Sequence, residues 1–311
     1  MSEVGIQRGA AEPAAAIDRP SGRRRGDRLV GAGRATQELV ELALVAARSD
    51  RPVLIIGAQG SGKDHLARAI HAWSARSSAP FVVVSAASAA DGLARELFGA
   101  DGTEPGALAR AAGGTLVIDS ADRLPDAVQS QLSRVAADPR GDSATPRARL
   151  VATSAKPLEV SPFGEAPQHT LRIPPLADRP EDVLPLAAHF LRLHADDEGV
   201  SPVGFTREAR NALLVEPWPG NVRELSERVR QAVRIAGNGA ISAEALLLAG
   251  EDPEQVPSFK EAKRAFETRY VVGLLRRCGG NISRAARLAK KDRKDFYDVI
   301  RRTGIDPTEF R

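Results

Sequence analysis

Val53-Leu54-Ile55-Ile56-Gly57-Ala58-Gln59-Gly60-Ser61-Gly62-Lys63 is the stretch on which the reading of this chain turns. Four apolar residues run without a break into a glycine, the mark of a strand buried on both faces of a parallel sheet. Glycines at 57, 60 and 62 and then a lysine follow at the spacing of a phosphate-binding loop. Glycines let backbone N–H groups curl around phosphate oxygens, and a helix starting at Lys63 aims its N-terminus at them. Gly57, Gly60, Ser61, Gly62 and Lys63 are therefore expected to bind nucleotide, with Lys63 reaching the β and γ phosphates. Asp64 stands where many such loops carry a Mg2+-coordinating Ser or Thr. It either binds Mg2+, directly or through water, or repels phosphate; the alternative to nucleotide binding is a relic loop kept for its fold.

Outward from this loop the pattern alternates. Leu39, Leu42, Val45 and Ala46 have helical spacing over 36–48, and Pro52 ends that helix. The helix from Lys63 runs to about Trp73. Phe81–Val84, Leu116–Ile118 and Arg149–Ala152 read as further strands, so the first half is an α/β sheet with helices on both faces. After Pro174-Pro175 the β-branched runs stop, and 180–197, 206–215, 221–236 and 242–248 read as helices. The boundaries expected are a disordered basic arm over 1–27, an α/β nucleotide-binding domain over 28–178, a helical domain over 179–250, a linker over 251–258 and a helical module over 259–311. The region ahead of Leu29 is expected to be too short for a folded sensor domain.

Composition narrows the function classes. Only 4% of the 311 residues are aromatic, so the core must be built from Ala, Leu and Val. One cysteine, Cys278, excludes an internal disulfide and a cysteine-based metal site, and five scattered histidines argue against zinc. No apolar run approaches the ~20 residues of a membrane span, and no secretory signal is visible; a cytoplasmic protein is expected by exclusion. The net charge of +4 is uneven: Phe259–Arg311 carries 15 basic and 7 acidic residues. A compact basic module on a mildly acidic body points to a polyanion partner, although a solvated helical face would give the same excess.

Gly113-Gly114-Thr115-Leu116-Val117-Ile118-Asp119-Ser120 is an apolar strand ending in an acid. Asp119 fits the residue that positions Mg2+ beside the phosphates, or else a strand-end cap. Hydrolysis normally needs a neighbouring base to activate water, and Ser120, a neutral hydroxyl, is a poor proton acceptor. Asp122, two residues on, substitutes only if the loop swings it back.

With these residues in place, the chain from Leu29 to Arg311 resembles the sigma-54-dependent bacterial enhancer-binding proteins, a family of AAA+ ATPase transcription activators. Leu29-Val30-Gly31 resembles the start of their ATPase domain. Glu96-Leu97-Phe98-Gly99 matches their ELFG, and Gly113–Asp119 is similar to GGTLFLD. Pro174-Pro175-Leu176 with Arg179, Glu181 and Asp182 resembles PPLRERxEDI. Trp218-Pro219-Gly220-Asn221-Val222-Arg223-Glu224-Leu225 is the family's WPGNVREL without a mismatch. The resemblance implies a P-loop AAA+ sheet domain with a helical lid, ATP and Mg2+ as cofactors, assembly into a ring, and a phosphate-sensing role for Arg223. From the residues alone, the same string reads only as a helix start with Asn221 as its cap.

The departures fall on one function. The family follows ELFG with a GAFTGA loop that engages sigma-54, whereas here Ala100-Asp101-Gly102-Thr103-Glu104-Pro105-Gly106 follows and GAFTGA occurs nowhere. The glutamate of the family's DE pair is Ser120. Ser161–Leu171, where the family carries trans-acting finger arginines, has none before Arg172.

The last module resembles the family's Fis-type helix-turn-helix, over Cys278-Gly279-Gly280-Asn281-Ile282-Ser283-Arg284-Ala285-Ala286-Arg287-Leu288. Asn281 is expected to cap its first helix, Ala285 and Ala286 to allow a close crossing, and Ile282 and Leu288 to face the core. Relatives usually place Gly in the turn; this chain has Lys290-Lys291. Asp292 is expected to cap a second helix, 293–301, whose buried face is supplied in part by Phe296, Tyr297, Val299 and Ile300. Arg293, Lys294 and Asp295 lie in its first turn, where a recognition helix meets base edges. Arg284, Arg287, Lys290, Lys291, Arg301 and Arg302 are candidates for DNA phosphate contact; Tyr297 either bonds phosphate or packs. Phe259, Ala262, Phe266, Tyr270 and Leu274 make a near-heptad stripe, either a dimer seam or a face packed on the helix-turn-helix.

The expected function is a double-stranded-DNA-binding transcriptional regulator that binds nucleotide, hydrolyses it poorly and does not remodel sigma-54 polymerase. One alternative is an active ATPase with a nonstandard base such as Asp122. Another is an interaction platform that joins or inhibits related activators.

Overall fold

In the computed structural model, which describes residues 29–87, 92–100, 104–137, 147–249 and 259–310, the apolar run at Val53 is the second strand from one edge of a five-stranded parallel sheet. Helix α1 (Arg34–Ala47) precedes strand β1 (Val53–Gly57), and α2 (Lys63–Ala72) leads to β2 (Phe81–Ser85). Next come α3 (Leu93–Phe98), the two-residue strands β3 (Gly99–Ala100) and β4 (Glu104–Pro105), and α4 (Ala107–Arg110). Then β5 (Thr115–Asp119), α5 (Asp126–Ala137), β6 (Arg149–Ser154) and β7 (His169–Ile173) complete the first unit.

The strands lie in the order β2-β5-β6-β1-β7. Every β1 residue is buried, as a strand flanked by helices requires. Leu54, Ile56, Leu116, Ile118 and Leu150 pack on one face with Leu97, Leu132 and Phe163. Val53, Ile55, Val117 and Val151 pack on the other with Leu39, Ala43, Leu66 and Ile70. The small alanines of α1 and α2 let these helices lie close to the sheet, and this offsets the shortage of aromatics.

β7 went unread from sequence. In His169-Thr170-Leu171-Arg172-Ile173 only Leu171 and Ile173 are buried, because it is an edge strand covered on one face. No continuous apolar run announces it. A second feature also escaped: β3 and β4 pair antiparallel, Gly99 with Pro105 and Ala100 with Glu104, as a stub of a hairpin after the ELFG helix.

A helical layer follows: α6 (Val183–Glu198), strand β8 (Gly204–Phe205), α7 (Arg207–Val215), α8 (Asn221–Ala236), β9 (Ala240–Ile241) and α9 (Ala243–Leu248). Its core joins Leu186, Leu213, Leu225, Val229, Val233 and Leu246 around Trp218. The Trp218 indole N–H donates to Leu213 O (3.0 Å) and the Arg228 guanidinium lies over its ring (4.9 Å). Truncating a buried aromatic of this size typically costs about 3–5 kcal/mol.

Helices α10 (Phe259–Arg277), α11 (Ile282–Leu288) and α12 (Arg293–Thr303) end the chain around Val271, Leu274, Leu275, Cys278, Ala285, Ala286, Phe296 and Ile300. α10 docks on α7: a Cβ at Gly273 would lie 2.7 Å from Val215 O, and Arg277 Nη1 donates to Leu214 O (3.4 Å). The expected arm over 1–27 and linker over 251–258 lie outside the described residues.

Candidate functional site

The loop between β1 and α2 is built by its carbonyls. Gly57 O and Ala58 O accept from Lys63 Nζ (2.9 and 3.2 Å), and Ala58 O also from Ser61 N (3.2 Å). Gln59 O accepts from Asn221 Nδ2 (3.1 Å), Gly60 O from Arg223 N (3.1 Å) and Ser61 O from Arg179 Nη2 (3.1 Å). Gly62 O begins the helix by accepting from Leu66 N (3.0 Å). All six carbonyls are thus engaged. A planar peptide carries its N–H opposite its C=O, so the Gly62 N–H points away from Arg179, while Ser61 N–H is spent on Ala58 O, and the first-turn N–H groups of α2 have no intrahelical partner. A loop of this kind ahead of a helix N-terminus is chemically able to hold an anion.

Two glycines are required here. Gly62 has φ +103 and Gly60 φ +74, both left-handed. A Cβ at Gly60 would also lie 2.2 Å from Gly220 O, so the helical layer seats directly on the loop.

The Trp218–Leu225 string makes that seat. Asn221 is not the helix cap read from sequence. It is buried with φ +56, and its side chain bridges two segments: Oδ1 accepts from Leu176 N (2.8 Å) while Nδ2 reaches the loop at Gln59. The capping work falls to Glu224, whose Oε2 accepts from Gly220 N (2.7 Å). Arg223 is exposed, and its guanidinium has no hydrogen bond or ion pair among the described residues; its Cβ lies 3.1 Å from the position a Gly60 Cβ would take. The cation therefore starts from the loop's rim.

Asp119 ends β5 at the same, carboxyl, end of the parallel strands. Its Oδ1 accepts from Thr153 Oγ1 (2.5 Å) and its Oδ2 from Ser120 Oγ (3.3 Å). Ser120 has φ +60, and its N–H donates to Thr153 Oγ1 (3.2 Å). Thr153 is a neighbour that the sequence reading missed; it follows the β6 apolar run as Asp119 follows that of β5. Asp122 lies in the short 3-10 turn Ala121–Arg123 and accepts at Oδ1 from Ser154 Oγ (3.4 Å) and Ala155 N (3.3 Å). It ties the β6 end in place. Asp64 is exposed in the first turn of α2.

The second set of candidates forms a separate surface. Arg284, Arg287, Lys290, Lys291, Arg293, Lys294, Asp295 and Arg301 are all exposed, on α11, the turn and α12. Asn281 Oδ1 accepts from Arg284 N (3.0 Å), a side-chain cap. Asp292 occupies the N-cap position of α12 without a side-chain cap bond. Lys290 sits at φ +51, the conformation for which a glycine turn is suited. Ala285 and Ala286 are buried as their size requires, but Leu288 is 57% exposed and Tyr297 54%, so neither belongs to the core. Of the α10 stripe, Leu274 is buried in the core shared with α11 and α12 and Tyr270 packs against that core, the intrachain alternative to a seam. The side chains of Phe259, Ala262 and Phe266 lie outside the described residues.

Among the described residues no helix is long and apolar enough to cross a membrane, and no group of three or more His, Cys, Asp or Glu is placed to hold a metal ion.

Comparison with known proteins agrees with this geometry. Residues 29–154 match the Sigma-54 interaction domain family and 177–258 the AAA+ ATPase lid domain family. The transcriptional regulatory protein GlrR of Escherichia coli is 34% identical over 300 residues, covering 88% of this chain and 67% of that protein. The nitrogen assimilation regulatory protein NtrX of Azorhizobium caulinodans is 32% identical, covering 89% and 69%. Among solved structures, NtrX from Brucella abortus in complex with ADP superposes with a TM-score of 0.68 at 28% identity, covering 90% of this chain and 70% of that one. The same protein in complex with ATP gives the same score.

Proposed function

The chain belongs to the family of sigma-54-dependent transcriptional regulators, and from that premise we propose that it is a nucleotide-binding, DNA-binding member whose ATPase cycle is impaired. The observation that supports the nucleotide reading is the loop whose six carbonyls, Gly57 to Gly62, are all engaged, while of its amides only Ser61 N–H is spent within the loop, on Ala58 O. The complexes of Brucella NtrX with ADP and ATP support it. Lys63 leaves its resting bonds to Gly57 O and Ala58 O to meet the phosphates, and Arg223 adds a second cation from the lid. Mg2+ held by Asp119 would neutralise phosphate charge.

Hydrolysis is the weak step. Ser120 is a poor base, and the arginine that relatives supply across a subunit interface has no counterpart between Ser161 and Leu171. The absent finger alone accounts for a loss of about 10³-fold or more. The stub hairpin after Phe98 also gives no GAFTGA contact, so the protein does not open sigma-54 polymerase. Double-stranded DNA is held by the basic face of α11 and α12, with Arg293 and Lys294 toward base edges and Lys290, Lys291, Arg284, Arg287 and Arg301 toward phosphates.

One observation favours a second reading, an active ATPase: Asp122 is at the same carboxyl end of the strands, beside Ser154, whose register partner Ile56 precedes the loop. A single experiment separates the two. Titration with ADP and ATP should show binding that Lys63→Ala abolishes, together with phosphate release near background. Release that depends on both Lys63 and Asp122 would establish the active enzyme instead.

A further inference from the structure

The segment Pro174–Asp182 resembles a family motif, yet nothing in the nucleotide reading uses its arginine. Arg179 is only 5% exposed, in the connection between sheet and helical layer. Burial pushes its pKa down, against the raising effect of Asp182. A partner that repaid this burial would be expected at bonding distance, but Asp182 Oδ2 is 3.7 Å from Arg179 Nη1. Asp182 is itself fully buried and already satisfied: Oδ1 accepts from Ala32 N and Gly33 N (2.7 Å each) and Oδ2 from Thr36 Oγ1. The tightest bond Arg179 makes is to the loop, Nη2 to Ser61 O at 3.1 Å. Its Nη1 also reaches Thr36 Oγ1 at 3.5 Å, and its Nε has no partner.

The Ser61 carbonyl belongs to the same planar peptide as the Gly62 N–H, and the two point in opposite directions. Gly62 has φ +103 and open space where a Cβ would be, so no side chain of its own restrains the backbone here. A glycine peptide of that kind can rotate and present its carbonyl, rather than its amide, to an anion. Arg179 anchors the carbonyl on the outer side.

We infer that Arg179 is a positioning residue for phosphate: by holding Ser61 O it keeps the Gly62 amide aimed into the cradle, and Asp182 ties this grip to residues 32–36 at the start of α1. The inference rests on the nucleotide-binding reading and deepens it. The ligand class is a nucleoside di- or triphosphate, since the cradle lies where the phosphates beyond the first are held in loops of this kind.

The test uses the full chain and a fluorescent ADP, displaced by ADP or by AMP, for wild type, Lys63→Ala, Arg179→Met and Arg179→Lys. Losing a charge-assisted bond that orients a binding amide should weaken ADP by about 10- to 100-fold in Arg179→Met. AMP should change by less than about threefold, so the ADP-to-AMP preference collapses, and Arg179→Lys should restore part of it. A purely structural role would lower ADP and AMP affinity together, and that result overturns the inference. So does ADP binding by Arg179→Met within about twofold of wild type. If circular dichroism shows Arg179→Met unfolded, Arg179→Lys decides: a reduced ADP-to-AMP preference supports the inference, an unchanged one overturns it. Wild type that binds no ADP, or Lys63→Ala that binds it normally, removes the nucleotide reading and this inference together. Loss in Lys63→Ala with no effect at Arg179 removes this inference alone.

Discussion

His169 opens β7 with its N–H bonded to Pro52 O (2.9 Å) and its Nε2 buried without a partner. Burial, then the charges of Arg149 and Arg51, push its pKa below the ordinary histidine value. Arg149 is 2% exposed, donates to Ala46 O at the end of α1, and is itself lowered to about 10, chiefly by burial. Asp50 and Arg76, bonded to each other at 2.9 Å, complete the charged surroundings. Because the unfolded chain binds a proton at His169 more readily than the folded one, the sign is fixed. Its contribution is complete above about pH 6.5 and is lost as pH falls from there toward the folded pKa. The urea midpoint should therefore drop between pH 7 and pH 5.5, and His169→Gln should flatten the drop; parallel slopes would place the effect elsewhere. At the other end of the sheet, Gly60 and Gly62 were legible one residue at a time, because a positive φ and a close approach leave few alternatives to glycine. Asn221 was not. Its residue type suits a cap, and only its position between Leu176 and Gln59 shows that it bridges instead.

Among the elements, those with one buried face and full helical period were readable, as α8 shows with Leu225, Val229, Ala232 and Val233 on a single side. Short or edge elements were not. β7 alternates, with polar residues on its open face, and α11 is seven residues long with its buried surface supplied by two alanines. Once those alanines set the crossing with α12, Leu288 falls outside the contact and its size cannot bring it in. It remains 57% exposed beside the basic turn. The module as a unit carries the DNA prediction. In the full chain, Arg293→Ala should cost roughly 1–3 kcal/mol at a cognate site and relax sequence preference, whereas Lys291→Ala should weaken all duplexes alike and reduce the salt slope by about one. Fluorescence anisotropy on specific and scrambled duplexes at several salt concentrations checks both. A variant pair with interchangeable effects would contradict the division between base and phosphate contacts.

At the scale of the molecule, the sheet, the helical layer and the last module are joined by direct contacts: Gly60 to Gly220, Leu176 to Asn221, and Val215 to Gly273. A motor of this family needs a polymerase contact, a water-activating base and a finger, and they act in one cycle, so restoring one should not restore the output. Neither wild type nor Ser120→Glu should form open complexes with sigma-54 polymerase on a purified promoter with ATP. Open complexes from wild type would mean that another surface replaces GAFTGA. The sequence by itself determined the loop, the strand before it, the strand ending at Asp119, the lid string and the basic module. Each is a local pattern, in which spacing along the chain already dictates backbone geometry or charge. Only the tertiary structure decided that Arg179 grips the loop, that Thr153 holds Asp119, that Asn221 bridges and that Leu288 faces outward. These depend on residues up to 162 positions apart, as Asn221 and Gln59 are, being brought together by the sheet order and the docking of helices. No periodicity within a single segment encodes which carbonyl a distant side chain will meet.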